Sequence, residues 1–327
     1  MAKTTFDIKP LFESLGVEIQ PKPGIVELFD RMEIPETNSD DEWIKLGLVV
    51  LNELKKSGFK PKTVADIGTG NGIIAIGFGQ IFQPKTIYLT DIIKEVLQPA
   101  KKNLQNNLKA IPKYKPKIIV KQGRDAGPFK NNSLDLVLFS PPPLMVEDEN
   151  LLNNGLTRTT LIERKHYSKF ANNSDDLLLK WSLLPWYSFL LNIKKKMKKG
   201  GIIIGLYSGR IPFNAIKEAH KRAGVSLSVP KSIVKKQQDP VYLAEYAKYE
   251  KRFLNGESFD FYDYEKAKQL MKSEGLKMPG VIDLSPEKIK EILKPAKISA
   301  IEAYQTSLKG LSVAHVGYAL VVTIPKK

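Results

Sequence analysis

The chain has 327 residues, 42% of them hydrophobic and 26% charged, values ordinary for a globular protein and sufficient to bury a core without staples. They exclude collagen-like, mucin-like and wholly disordered chains, and the absence of cysteine excludes disulfides, thiolate metal sites and cysteine nucleophiles. The formal charge of +16, from 51 basic against 35 acidic side chains, points towards a polyanionic partner, although 44 of the basic residues are lysine and only 7 arginine, as a bias in composition would also give.

Residues 1–42 carry Pro10, Pro21, Pro23 and Pro35 and are expected to be irregular, leading into a helix from Glu42 to about Ser57-Gly58. Strands and helices then alternate: a strand over 63–67, a glycine-rich turn, a helix over 73–81, a strand over 86–90 and a helix over 92–109. Two further strands follow at 117–121 and 134–139. Continuous apolar strands in β-α-β order predict a parallel sheet covered on both faces. The rhythm then stops. Residues 144–175 are polar, with Asn153-Asn154-Gly155 and Asn172-Asn173-Ser174, and read as a lid-like insertion. A helix over 176–199, a strand over 201–207, a helix over 212–224 and a strand over 225–229 resume the pattern. Residues 230–314 interrupt it again, with helical patterns at 264–273 and 286–293 and no sheet of their own, before a closing apolar strand at 316–324.

No apolar run reaches the roughly 18 residues of a membrane span, and the first residues lack the apolar core of a signal peptide, so a soluble cytoplasmic protein without membrane partners is expected. His166, His220 and His315 are too scattered for a histidine metal site, and no metal is expected.

The sharpest chemical feature is Asp66-Ile67-Gly68-Thr69-Gly70-Asn71-Gly72, directly after the first strand of the alternating series. Glycines there let the backbone turn tightly and approach a ligand, while the next helix offers its unpaired N–H groups. Asp91 ends the second strand, 25 residues after Asp66, where a carboxylate can take both hydroxyls of a ribose. Asp125, in Gly123-Arg124-Asp125-Ala126 after the third strand, is placed to meet an adenine amine. Each aspartate alone would serve as a helix cap or turn residue; three at successive strand ends make a binding edge.

In these residues the chain resembles the class I S-adenosylmethionine-dependent methyltransferases, over about 60–228 and 315–327. The resemblance implies that Asp66, Gly68, Thr69, Gly70, Asn71 and Gly72 pass beside the methionine part of S-adenosylmethionine. It implies that Asp91, with Ile92, binds the ribose, and that Asp125, with Ala126, contacts the adenine. Lys198-Lys199-Gly200-Gly201 looks like the family's L-K-P-G-G turn before the fifth strand, and 316–324 would supply its antiparallel final strand. A nicotinamide-dependent dehydrogenase competes for the same glycine turn, but its third glycine falls one residue later.

Ser140-Pro141-Pro142-Pro143, at the end of the fourth strand, resembles the (N/D/S)-P-P-(Y/F/W) motif of N-methyltransferases acting on nucleic-acid bases or on protein glutamine. A nitrogen conjugated to a ring or carbonyl is a poor nucleophile because its lone pair is delocalised. A polar side chain and adjacent carbonyls can accept its hydrogens and free that pair, while the prolines stiffen the acceptor wall. Ser140, Pro141 and Pro142 are therefore the expected catalytic residues, with Ser140 also beside the cofactor. Pro143 replaces the aromatic that stacks on a flat acceptor. Tyr167, Trp181 and Trp186 are candidates to supply that face, with core packing as the alternative; His166-Tyr167 are candidates to line the acceptor site, with a surface loop as the first expectation for both. The basic run Lys194–Lys199 reads as the last turn of the 176–199 helix, or as a phosphate-contact patch.

Together these features predict a doubly wound, mostly parallel seven-stranded α/β sheet of Rossmann-like methyltransferase type, with helices on both faces and insertions. Residues 1–60 form an N-terminal segment with a helix, 61–229 with 315–327 the core, and 230–314 an inserted cap or recognition region. The expected activity is methyl transfer from S-adenosylmethionine to a conjugated nitrogen of an RNA or DNA base. A protein glutamine or other protein nitrogen is the second acceptor class, and a catalytically silent cofactor-binding partner subunit the third reading.

Overall fold

Apolar strands that alternate with amphipathic helices leave the sheet no exposed face, and the computed structural model is built accordingly. It describes residues 4–17, 24–28, 35, 40, 43–147, 161–173, 176–237 and 240–325. Strands β3 (Thr63–Ile67), β4 (Thr86–Asp91), β5 (Lys117–Gln122), β6 (Leu134–Phe139) and β9 (Met197–Ser208) run parallel to one another. Strand β14 (Val313–Thr323) lies antiparallel between β9 and β10 (Ser226–Gln237). The order β10-β14-β9-β6-β3-β4-β5 contains all seven expected strands, and the chain crosses from one side of β3 to the other between β5 and β6.

Side chains alternate between the two faces, as the pleat requires. Val64, Leu136 and Leu138 enter a core under the helices Trp43–Lys56, Ile73–Phe82 and Lys94–Leu108. Ala65, Val137 and Phe139 enter the opposite core, with Trp181, Trp186 and Phe189. Gly205 of β9 sits flat against Trp186, since a β-carbon there would lie 2.4 Å from the indole Cη2.

Several boundaries differ from those read in the sequence. The sheet has ten strands, because β11 (Phe261–Asp263), β12 (Gly280–Ile282) and β13 (Lys297–Ile298), all from 230–314, add to its edge. Strand β10 continues to Gln237, eight residues past the expected end, because β14 supplies it with partners as far as Val313. Helices Pro240–Phe253 and Ala300–Leu308 join the two expected in this region, the latter opened by a capping box of Ser299 and Glu302. The 176–199 helix is broken into Leu177–Lys180 and Leu184–Ile193, with Ser182 in a left-handed conformation between them. The basic run is therefore no helical turn. Lys194 donates to the Ala223 carbonyl at 2.8 Å, and Lys198, already in β9, pairs with Asp135 at 2.9 Å. The Lys198–Gly201 turn lies inside β9 as an irregularity, with Gly200 at positive φ.

The N-terminal segment is not wholly irregular. Strands β1 (Thr4–Asp7) and β2 (Ile25–Leu28) form an antiparallel pair. Asn103 of the Lys94–Leu108 helix accepts from Glu27 N and donates to Glu27 O, and Asn107 donates to Ile25 O, at 2.8–2.9 Å. Residues 148–160 and 174–175 of the 144–175 insertion, including Asn153-Asn154-Gly155, lie outside the described residues. Its described parts include β7 (Leu144–Val146), paired in parallel with β8 (Leu161–Glu163). Among the described residues no helix is long and apolar enough to cross a membrane.

Candidate active site

Loops leaving the carboxyl ends of parallel strands diverge at a switch point and leave a crevice there. The cleft lies in that place, lined by the ends of β3, β4, β5 and β6 and the turns that follow them. Gly68, Gly70 and Gly72 all have positive φ, which a β-carbon disfavours. At Gly68 an added β-carbon would meet only the Phe139 ring at 3.9 Å, and at Gly70 only the Gly68 carbonyl at 3.9 Å. This part of the turn is an open cradle on the cleft. Gly72 serves packing instead. Its β-carbon would lie 3.1 Å from the Ala100 carbonyl, so it brings the turn against the Lys94–Leu108 helix and is not in the lining. Asn103 of that helix donates to Asn71 O at 3.0 Å and holds the turn from behind.

Three carboxylates face the cleft. Asp66 is buried and accepts from the Thr69 hydroxyl at 2.7 Å. Burial pushes its pKa up to about 7, only partly countered by that hydrogen bond. Asp91 accepts from Gly70 N at 3.2 Å and Ile93 N at 2.9 Å, so one side chain clamps the glycine turn to the start of the next helix. Burial raises its pKa as well. Asp125, in a left-handed conformation with φ 51°, is raised by burial to about 6, opposed by the neighbouring Arg124. Ile92, Ile93, Val96 and Phe139 supply apolar walls. Ile92 is 47% exposed, a large apolar side chain kept open at the rim.

Ser140 and Pro142 line the cleft, whereas Pro141 is buried and, like Pro143, outside the lining; Ala126 is likewise buried behind Asp125. The Ser140 hydroxyl accepts from the Trp43 indole Nε1 at 3.0 Å. Trp43 opens the Trp43–Lys56 helix and lines the same cleft. Nothing in the local sequence marks it, because its place depends on that helix packing across β14: a β-carbon on Gly317 would lie 2.1 Å from the Trp43 ring.

Of the aromatic candidates, Trp181 and Trp186 are core residues, Trp186 donating to buried His220 at 3.2 Å. Tyr167 departs from the expected surface position. It is buried, lines the cleft and accepts from Arg124 Nη1 at 3.1 Å, joining the insertion to the Asp125 loop. His166 is exposed and its ring contacts the Glu163 carboxylate.

This arrangement fits S-adenosylmethionine. The open glycine cradle suits close backbone approach, and carboxylates suit ribose hydroxyls and positive charge. A doubly wound sheet with this crevice, turn and acidic edge is the architecture of a class I S-adenosylmethionine-dependent methyltransferase. Residues 45–158 match the family model of the methyltransferase small domain, and S-adenosylmethionine is the cofactor that the fold and this match imply. The chain is also similar to the release factor glutamine methyltransferase of Flavobacterium psychrophilum, 28% identical over 144 residues, which are 44% of this chain and 45% of that protein. It thus spans about half the length of that curated relative. Among solved structures, YcgJ of Bacillus subtilis shares 10% identity at a TM-score of 0.42, covering 85% of this chain and 98% of that one. The ribosomal protein L11 methylase of Lactobacillus delbrueckii subsp. bulgaricus shares 17% at 0.38, covering 63% and 76%.

A pH dependence follows from the two aspartates with shifted pKa. A cationic ligand favours their ionised forms, so its binding releases protons. Affinity for S-adenosylmethionine is expected to rise with pH through about 6 to 7 and level off above, by up to about tenfold per pH unit for each coupled proton. Asp66→Asn should flatten the upper part of the rise. Calorimetric titrations at several pH values check this, and an affinity flat from pH 5.5 to 8 would refute it. Folding without cofactor runs in the opposite sense. An acid whose pKa is raised from 3.8 to about 7 holds its proton longer in the folded state, so stability falls as pH climbs through that window.

Proposed function

We propose that the protein is an S-adenosylmethionine-dependent N-methyltransferase whose acceptor is a conjugated nitrogen of a nucleic-acid base. Ser140 carries this reading, because it stands at the cleft on a stiff proline exit with its hydroxyl oxygen fixed by Trp43. One lone pair of that oxygen is taken by the indole N–H, which leaves the other to accept a hydrogen from an incoming amino group. Such a bond draws the nitrogen towards tetrahedral geometry and returns its lone pair for attack. The cofactor, when bound, supplies an electrophilic methyl group on a sulfonium. Asp66, Asp91 and Asp125 would hold it along the sheet's carboxyl edge, with the Gly68–Gly70 cradle beneath. Tyr167 and Arg124 cover the Asp125 end and limit water there. The charge of +16 supports a polyanionic acceptor.

A second reading, methylation of a protein glutamine amide, is favoured by the glutamine methyltransferase relative and by Pro143 in place of the stacking aromatic. The two are separated by incubating the protein with cell extract and methyl-labelled S-adenosylmethionine, then counting label in nucleic acid, protein and small-molecule fractions. Label in RNA or DNA that disappears with Asp91→Ala is the expected result. Label confined to protein would replace the first reading by the second. Cofactor binding without transfer into any fraction would leave a silent partner subunit.

A further inference from the structure

Arg210 follows β9 at the carboxyl edge of the sheet, outside the lining of the cleft described above. It is 3% exposed, and a buried cation ordinarily has a carboxylate partner. Among the described residues none pairs with it. Its Nη1 donates to the Ser208 hydroxyl at 3.1 Å and its Nη2 to the Gln237 side-chain carbonyl at 2.6 Å, while Nε has no partner. The rings of Tyr242, Tyr246 and Phe261 surround the guanidinium carbon at 5.1–5.3 Å. Asp260, whose N–H donates to the Arg210 carbonyl, has its own carboxylate taken by Lys290 and Lys297. His315 of β14, the buried register partner of Lys235 on β10, is held neutral by burial first and by the nearby charges of Arg210 and Lys235 second.

A short chain of contacts ties this group to the acceptor motif. Ser140 accepts from Trp43, whose ring lies over Gly317 and 6.2 Å from the His315 ring. Gly317 is the register partner of Ser208, which accepts from Arg210. Gln237, the last residue of β10, is only partly buried and forms the polar link between the guanidinium and the surface.

We propose that Arg210 is an anion-binding residue beside the acceptor site, and that its ligand is a phosphate of the nucleic acid whose base is methylated. The identity of the ligand rests on the nucleic-acid reading above. A phosphate oxygen would take the unpartnered Nε and replace the Gln237 carbonyl at Nη2, giving the forked contact that distinguishes arginine from lysine. The aromatic walls hold the fork while it waits, at the cost of leaving one N–H unbonded.

Equilibrium titrations of the full chain, saturated with S-adenosylmethionine, test this with inorganic phosphate, a random-sequence single-stranded RNA oligonucleotide and poly-glutamate. Phosphate and RNA are expected to bind, and Arg210→Met to weaken both by about tenfold or more with cofactor affinity retained. Gln237→Glu guards against a variant that fails to fold. It gives the guanidinium an internal anion, so thermal stability should rise while phosphate binding falls. A purely structural arginine predicts the stabilisation without the loss of binding. Unchanged phosphate affinity in Gln237→Glu or in folded Arg210→Met overturns the proposal, as does binding of poly-glutamate alone. No methyl transfer is read in these titrations, so a failed methylation assay and a failed anion site are separate results.

Discussion

Asp91→Ala is expected to weaken S-adenosylmethionine binding on the order of a hundredfold, the equivalent of about 3 kcal/mol. Two losses combine. On the proposed placement of the cofactor, the carboxylate at the end of β4 would lose its charge-assisted contacts with the ribose hydroxyls. The glycine turn would also lose its clamp, because Asp91 holds Gly70 N with one oxygen and Ile93 N with the other. Asp91→Asn separates these effects. An amide keeps one oxygen for the backbone, so its loss of affinity should be smaller, with the turn retained. Calorimetry with the wild type and both variants checks the ranking, alongside thermal unfolding without cofactor. Affinity unchanged in Asp91→Ala would remove the carboxylate from the cofactor site.

The readability of this edge from sequence has a physical basis. Asp66 and Asp91 stand at the carboxyl ends of apolar strands and Asp125 follows one, and parallel strands bring their carboxyl ends together whatever lies between them. Local pattern plus one topological rule therefore assembles three residues that are distant in sequence. Trp43 has no such rule. Its indole reaches Ser140 because its helix crosses β14 at Gly317, and helix packing is not encoded in a short window. Tyr167 illustrates the converse. Its neighbours are polar, so a surface loop is the natural expectation, yet Arg124 supplies a partner that lets the phenol be buried. Burial and the negative charge of Asp125 push that phenol up to about 12, so at neutral pH it is a neutral hydrogen-bonding group.

The region 230–314 shows the same limit on a larger scale. Its strands β11, β12 and β13 are two or three residues long, too short for a period-two pattern to show. They exist because β10 and β14 outrun the parallel strands and offer edges to β12 and β11, and β11 in turn pairs with β13. Arg210 is legible only after that extension is known, since Gln237 and the rings of Tyr242, Tyr246 and Phe261 all come from chain that follows the expected end of β10. The region thus contributes the whole aromatic enclosure of Arg210, and under the anion-site proposal it would share in recognition.

Ser140→Ala is the sharpest test of the chemistry. Its cofactor affinity should stay near that of the wild type, because Asp66, Asp91, Asp125 and the glycine cradle are untouched. The rate of methyl transfer should fall about a hundredfold, the usual effect of deleting one preorganised hydrogen-bonding group at a reacting centre. The loss belongs in kcat more than in KM, since the bond strengthens as the nitrogen becomes tetrahedral. Trp43→Phe should give an intermediate loss: the ring still covers Gly317, but the N–H that fixes the Ser140 oxygen is gone. The two changes act on one hydrogen bond, so the double variant should be little slower than Ser140→Ala alone. Additive losses would mean that the indole and the hydroxyl act independently. Full activity in Ser140→Ala would place the nitrogen elsewhere in the cleft and leave the proline exit as a structural turn.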